Sequence, residues 1–263
     1  MEFSQILYGK SEGVATITFN RPNRLNAFTW TMHREMRAAI ANAEADDSIG
    51  AIVVTGAGKS FCAGLDADDL RTISRGGEAA RAGMPEERQA MFVYLTELKK
   101  PVIGALNGHV VGIGFVLSLY FDIRIAAENA KMSMIFVRRG LAPELGASWI
   151  LPRLIGFAPA LEMALTGRMV AAREALELKL VNRVVPDADL LGAAQSIGSD
   201  IAHNCTPLGV AEAKRLFYRH RTGELAPALA ENEIVTRKMS KSEDFKEGLR
   251  AFAEKRPPRF RGR

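Results

Sequence analysis

Cysteine is nearly absent from this chain of 263 residues, which has only Cys62 and Cys205. They lie far apart in unlike contexts, which excludes a disulfide framework and a thiolate metal site and makes a reducing cytoplasm the expected compartment. No His, Cys or carboxylate cluster has metal-ligand spacing, so no metal is expected, and no dinucleotide fingerprint appears. No apolar run is long enough to cross a bilayer, and Met1-Glu2-Phe3-Ser4-Gln5 lacks a basic stretch leading into an apolar one. A membrane or export role is therefore not expected.

What is present suits one sizeable core with a helical appendage, since 48% of the residues are hydrophobic and 25% charged, with nothing that reads as disordered. The net charge of +5 has two readings. The basic residues are scattered and their densest cluster, Lys255, Arg256, Arg259, Arg261 and Arg263, is terminal, a pattern that does not point to nucleic acid as a partner. A small anion bearing phosphates fits modest basicity equally well, and plain surface solvation accounts for most of these side chains.

Along the chain, strand and helix signals alternate. Gly13 to Phe19 is a β-branched run broken at Arg21-Pro22-Asn23. Thr29 opens a helix in which Met32, Met36, Ala39, Ile40 and Ala43 recur at helical spacing, and Ala51-Ile52-Val53-Val54 starts the next strand. Gly76-Gly77 and Gly83-Met84-Pro85 mark a mobile, pocket-gating region before a helix at about 86–99. Asp122 to Ala127 and Lys131 to Ser133 read as short strands, and helices dominate from Ala147. A boundary falls near Asn204, giving a core over 1–203 and a helical region over 204–263. Thr206-Pro207 is a helix start. Ser240-Lys241-Ser242-Glu243 is a capping-box pattern ahead of Phe245, Leu249 and Phe252 on one helical face.

Two Gly-containing turns carry the chemistry. Phe61-Cys62-Ala63-Gly64-Leu65-Asp66 follows the strand-like 51–55 run, and Asn107-Gly108-His109-Val110-Val111-Gly112-Ile113-Gly114 follows the 102–106 run. Turns of this kind aim rigid backbone N–H groups at one oxygen, an oxyanion hole suited to a carbonyl. Together with Arg21 to Ala27 and the closing 251–260 segment, they resemble, in order from Arg21 to Phe260, the crotonase or enoyl-CoA hydratase/isomerase superfamily.

The resemblance implies an α/β fold: a spiral of ββα units with a C-terminal helical trimerisation region. It implies an acyl-CoA thioester as partner, coenzyme A as part of the substrate, and no tightly bound cofactor. The donors would be the N–H groups of Leu65 and Ile113. The two positions where hydratase members carry glutamates hold Val116 and Phe136, neither of which transfers a proton. The replacement carboxylate is Glu144, at the position where some isomerase members carry their only acid. Stabilising a helix N-terminus would also explain an acid there; beside the oxyanion motifs, catalysis is the preferred role. The implied reaction is Δ3-to-Δ2 enoyl-CoA isomerisation, with hydration and non-catalytic acyl-CoA binding, or a moonlighting role on RNA, as alternatives.

For coenzyme A the resemblance implies Arg24 and Ala27, then Ala63, Asp66 and Leu70, with Phe252 and Lys255 reaching a neighbouring subunit's ligand in a trimer or dimer of trimers. A helix closing the protomer's own core would give the same tail pattern. Asp66 reads better as a turn-holding carboxylate than as a catalyst. Asp68 and Asp69 read as solvated, His109 as an ordinary turn residue, and Gln89 as an acyl contact.

Overall fold

The structure, a computed structural model, describes residues 2–74 and 90–262. The 76–85 glycine region, Gln89 and the start of the helix expected at 86–99 lie outside them. Of that helix the described part is a single turn, α3 (Tyr94–Glu97), ended by Leu98 in extended conformation.

The described strands form two sheets. The larger runs β1 (Ile6–Ser11), β2 (Val14–Phe19), β3 (Ala51–Gly56), β5 (Val102–Leu106), β7 (Ile123–Ala127) and β10 (Arg183–Val185) in that order. The smaller runs β4 (Ser60–Cys62), β6 (His109–Val111), β8 (Lys131–Ser133) and β9 (Val170–Ala171). Successive units thus give one strand to each sheet and then a helix: β3, β4 and α2 (Ala67–Ser74), then β5, β6 and α4 (Ile113–Leu119). Each turn of this spiral lies parallel to the one before, with β3 beside β5 and β4 beside β6.

Strand periodicity explains the layering. Side chains alternate faces, so Ile52 and Val54 enter the main core while Ala51 and Val53 meet a second one on the opposite face. That second face is covered by α8 (Leu190–Asn204) through Leu190 and Ala194. Strands covered on both sides become continuous apolar runs, as β3 and β5 are. The remaining α-helices among the described residues are α1 (Trp30–Ala45), α5 (Ala147–Ile155), α6 (Phe157–Thr166), α7 (Ala172–Glu177), α9 (Pro207–His220), α10 (Leu225–Met239) and α11 (Glu243–Glu254). Lys214 of α9 ties it to the large sheet through a 2.7 Å ion pair with Asp122, whose other oxygen accepts from the Tyr218 hydroxyl at 3.0 Å.

Caps follow local chemistry with two departures. Thr29 accepts from Met32 N–H, as its position predicts. Thr206 starts α9 but spends its hydroxyl on Asp244 at 2.7 Å. The cap of α11 is Ser242, which accepts from Phe245 N–H; the box read from Ser240 sits two residues early. The larger surprise is the face of α11. Its buried residues are Asp244, Glu247 and Ala251, while Phe245, Leu249 and Phe252 are 47%, 57% and 86% exposed. The carboxylates turn inward because the chain's end folds back over them: Asp244 accepts from the N–H groups of Arg261 and Gly262, and Glu247 pairs with Arg256. The apolar face therefore does not close the protomer's own core.

His33 on α1 (Trp30–Ala45) is buried between Phe28 and Phe92, and its Nε2 donates to the Met91 carbonyl at 3.3 Å. Burial, aided by the charges of Arg37 and Arg34, lowers its pKa to about 4. The unfolded chain, with an ordinary imidazole, binds the proton first, so this contribution is complete above about pH 6.5 and is lost as pH falls toward 4. We expect the urea-unfolding free energy to drop by up to about 3 kcal/mol over that interval. A His33→Phe variant should show a flatter profile there; an unchanged slope would show that another group dominates.

Candidate active site

The two glycine turns become neighbours because their strands do. In the parallel β4·β6 pair, Ser60 lies opposite His109 and Cys62 opposite Val110, so both strands reach their C-terminal ends at the same edge. There Gly64 has φ +116° and Gly112 φ +57°, values open to glycine and costly for other residues. A Cβ built on Gly112 would stand 3.6 Å from the Gly64 Cα, ordinary contact. One on Gly114 would come within 2.5 Å of the Cys62 Cβ and 2.8 Å of its carbonyl oxygen, so this glycine lets α4 seat directly on β4.

This packing leaves one backbone donor on each of the two adjoining turns. Phe28 donates to the Gly64 carbonyl at 2.7 Å and accepts from Asp66 N–H at 2.9 Å. Leu65 between them thus directs its N–H the other way. Ile113 is the first residue of α4, where an N–H has no intrahelical acceptor. Among the described residues neither N–H meets a hydrogen-bond acceptor. A pair of such donors stabilises negative charge developing on a carbonyl oxygen.

Side chains that the sequence reading left without a role lock this edge. Asn26, fully buried with φ +53°, accepts from Arg21 N–H at 2.8 Å and donates to the carbonyls of Ser60 and Ala57 at 2.6 and 2.9 Å. The Arg21 guanidinium reaches the Asp66 carboxylate at 2.8 Å and the Ala27 carbonyl. Asn107 donates to the carbonyls of Gly56 and Gly58 and accepts from Gly56 N–H. The available signal was the residue type, since asparagine tolerates left-handed backbone and bonds nearby main chain.

Asp66 is buried and holds the turn, accepting from Asp68 N–H at 3.0 Å. Burial pushes its carboxyl up, but the Asp68 N–H and Arg21 outweigh this and hold it below the usual range. Asp68 is exposed, as expected. Asp69 is not freely solvated: its Oδ2 is buried without a hydrogen-bond partner among the described residues, and burial together with the Asp66 charge raises its pKa. His109 is exposed on β6.

Val116 and Phe136 are buried hydrocarbon, 0% and 5% exposed. Glu144 is half-buried in the 140–146 loop before α5. The helix cap is Gly146, and the Ala147 N–H donates to the Glu144 carbonyl at 3.1 Å, which places Glu144 in the turn that enters α5. Leu145 and Gly146 have φ +55° and +77°, and the loop is held by the Tyr120 hydroxyl, which donates to the Leu145 carbonyl at 2.8 Å.

Of the residues that the resemblance implies for coenzyme A, Arg24 and Ala27 lie on one stretch and Ala63, Asp66 and Leu70 on another, and Ala63 N–H joins the two by donating to the Leu25 carbonyl at 3.1 Å. Arg24 and Leu70 are exposed there, while Ala27 and Ala63 are half-buried. Phe252 and Lys255 lie at the end of α11 and are exposed. Among the described residues no hydrogen bond, ion pair or ring contact joins them to that segment.

Comparison with known proteins agrees with this architecture. The family model described as enoyl-CoA hydratase/isomerase matches residues 9–263. The chain is 39% identical over 265 residues to the 1,2-epoxyphenylacetyl-CoA isomerase of Escherichia coli (strain K12), covering 100% of both. It is 35% identical over 270 residues to a probable enoyl-CoA hydratase of Rhodobacter capsulatus, again covering 100% of both. A crystal structure of a probable enoyl-CoA hydratase/isomerase from Mycobacterium abscessus superposes with a TM-score of 0.88 at 37% identity, over 98% of this chain and 99% of that one. The chain belongs to the enoyl-CoA hydratase/isomerase family and has the crotonase fold.

The two glycines of the second turn separate geometry from packing. Gly112→Ala meets no clash but must leave φ +57°; it should shift the Ile113 donor and lower kcat on enoyl-CoA about 100-fold in a folded protein. Gly114→Ala collides with β4 and should instead lower the melting temperature. Full turnover by folded Gly112→Ala would remove Ile113 from the site.

Proposed function

We propose that this protein is an acyl-CoA isomerase in which the N–H groups of Leu65 and Ile113 form an oxyanion hole and Glu144 is the acid/base. The observation that carries the reading is the distribution of acid: hydrocarbon fills positions 116 and 136, while a carboxylate stands on the braced 140–146 loop. The thioester oxygen accepts two hydrogen bonds, which makes the adjacent carbon more acidic. Glu144 takes a proton from that α carbon and returns it to the γ carbon, moving the double bond from Δ3 to Δ2 with no net gain or loss of atoms. Coenzyme A enters as part of the substrate, along the joined stretches 24–27 and 63–70, and no tightly bound cofactor takes part. The isomerase name of the Escherichia coli relative supports this reading. The hydratase name of the Rhodobacter relative supports a second one, hydration with Glu144 activating water.

Incubation with trans-3- and trans-2-enoyl-CoA, followed by mass spectrometry and chromatography, separates the readings. Isomerisation gives an isobaric shift, hydration a gain of water, and acyl-CoA binding alone neither. Glu144→Gln should lower isomerisation about 10²–10⁴-fold while acyl-CoA binding persists. A fully active Gln variant would overturn Glu144 as the base.

The same reading includes a trimer, or a dimer of trimers, whose neighbour supplies Phe252 and Lys255 to the coenzyme site. Support comes from the exposed apolar face of α11 and from Leu225, Leu229 and Ile234 of α10, exposed by 74%, 57% and 68%. Leu249→Asp with Phe252→Asp alters two largely exposed side chains and should shift sedimentation to smaller species and weaken coenzyme A binding. An unchanged assembly with undiminished affinity would refute this arrangement.

A further inference from the structure

The helix that begins with the Ile113 N–H ends in a residue that braces Glu144. Tyr120 follows the last residue of α4, about two turns and roughly 10 Å along from Ile113. All residues of α4 are buried, and Gly114 seats the helix directly on β4. At its far end the Tyr120 hydroxyl donates to the carbonyl of Leu145, the residue after Glu144, at 2.8 Å. Tyr120 is 5% exposed and Leu145 8%. Without the hydroxyl that carbonyl is a buried acceptor lacking this donor, a loss that a loop relieves by moving.

The loop has two consecutive left-handed residues at this point, Leu145 and Gly146. A Cβ on Gly146 would stand 2.8 Å from the Tyr120 oxygen, so hydroxyl and loop are closely fitted. The Tyr120 ring also lies 5.9 Å from that of Phe92, which in turn lies 5.9 Å from Phe28. Phe28 is the residue whose main chain brackets Leu65. Tyr120 is thus connected to one donor through α4, to the other through a tilted and an edge-to-face ring contact, and to the Glu144 loop through its hydroxyl.

We propose that Tyr120 is a positioning residue, fixing the 140–146 loop so that the Glu144 carboxylate is held in register with the N–H pair. This rests on the reading of Glu144 as the acid/base. The hydroxyl itself exchanges no proton with substrate, being committed to the Leu145 carbonyl. Its effect is geometric: proton transfer demands close alignment, and a displacement of about 1 Å costs on the order of 100-fold in rate.

Tyr120→Phe keeps the ring contact and deletes the hydrogen bond. On trans-3-enoyl-CoA, kcat per folded molecule should fall about ten- to a hundredfold with KM unchanged within about twofold. Because the residue acts through Glu144, adding Tyr120→Phe to Glu144→Gln should lower kcat no further. A merely structural hydroxyl would lower the melting temperature and leave kcat per folded molecule intact, and that result overturns the proposal. If Tyr120→Phe does not fold, Gly146→Ala displaces the hydroxyl from the opposite side; it should give the same fall in kcat with KM retained, and unchanged kcat again overturns the proposal. Should Glu144→Gln be fully active, the acid/base reading fails first. An inactive Glu144→Gln beside a fully active Tyr120→Phe defeats only the positioning role.

Discussion

The parallel pairing of β4 with β6 is the constraint on which the rest of this structure depends. Parallel neighbours end at the same edge, so the Gly64 and Gly112 turns lie side by side. An antiparallel pair would send them to opposite edges. The pairing follows from the spiral, in which each repeated β–β–helix unit returns its second strand to the same sheet one position along. The glycines serve that arrangement in different ways: Gly64 and Gly112 supply backbone angles, and Gly114 supplies space for α4.

Polar groups make this edge stiff. Burying Asp66 is costly, and Arg21 with the Asp68 N–H offsets that cost. Asn26 and Asn107 occupy the carbonyls of Gly56, Ala57, Gly58 and Ser60, so the backbone entering the first turn is left little freedom. Backbone donors act best on a developing oxyanion when they need not reorganise, and in the proposed site this bonded scaffold would supply that stiffness. Hydrocarbon at positions 116 and 136, with a carboxylate at 144, places the acid on a loop that is itself braced from α4.

The C-terminal helix inverts the usual logic of amphipathic packing. Carboxylates turn inward because the chain's last residues satisfy them, and aromatic and aliphatic side chains turn outward. A protomer that exposes Phe252 and Leu249 while burying Asp244 and Glu247 offers an apolar surface larger than scattered exposed residues require.

Local pattern was enough for much of this. The β-branched and apolar runs specify their strands, the spacing of Met32, Met36 and Ile40 specifies the inner face of α1, and glycines at strand ends identify the turns, because each is a property of a short window. The motifs in order also carried the family. Other features came from contacts between distant segments: the clasp of Asn26 on Ser60, the reversed face of α11, the buried oxygen of Asp69 and the bond from Tyr120 to Leu145. Helical periodicity tells which residues share a face but not which face meets protein, since that depends on what else folds against it. The sequence by itself determined the elements and the turns; tertiary structure alone decided which turns meet, because the neighbours of β4 are set by strand pairing across 49 residues, from Ser60 to His109.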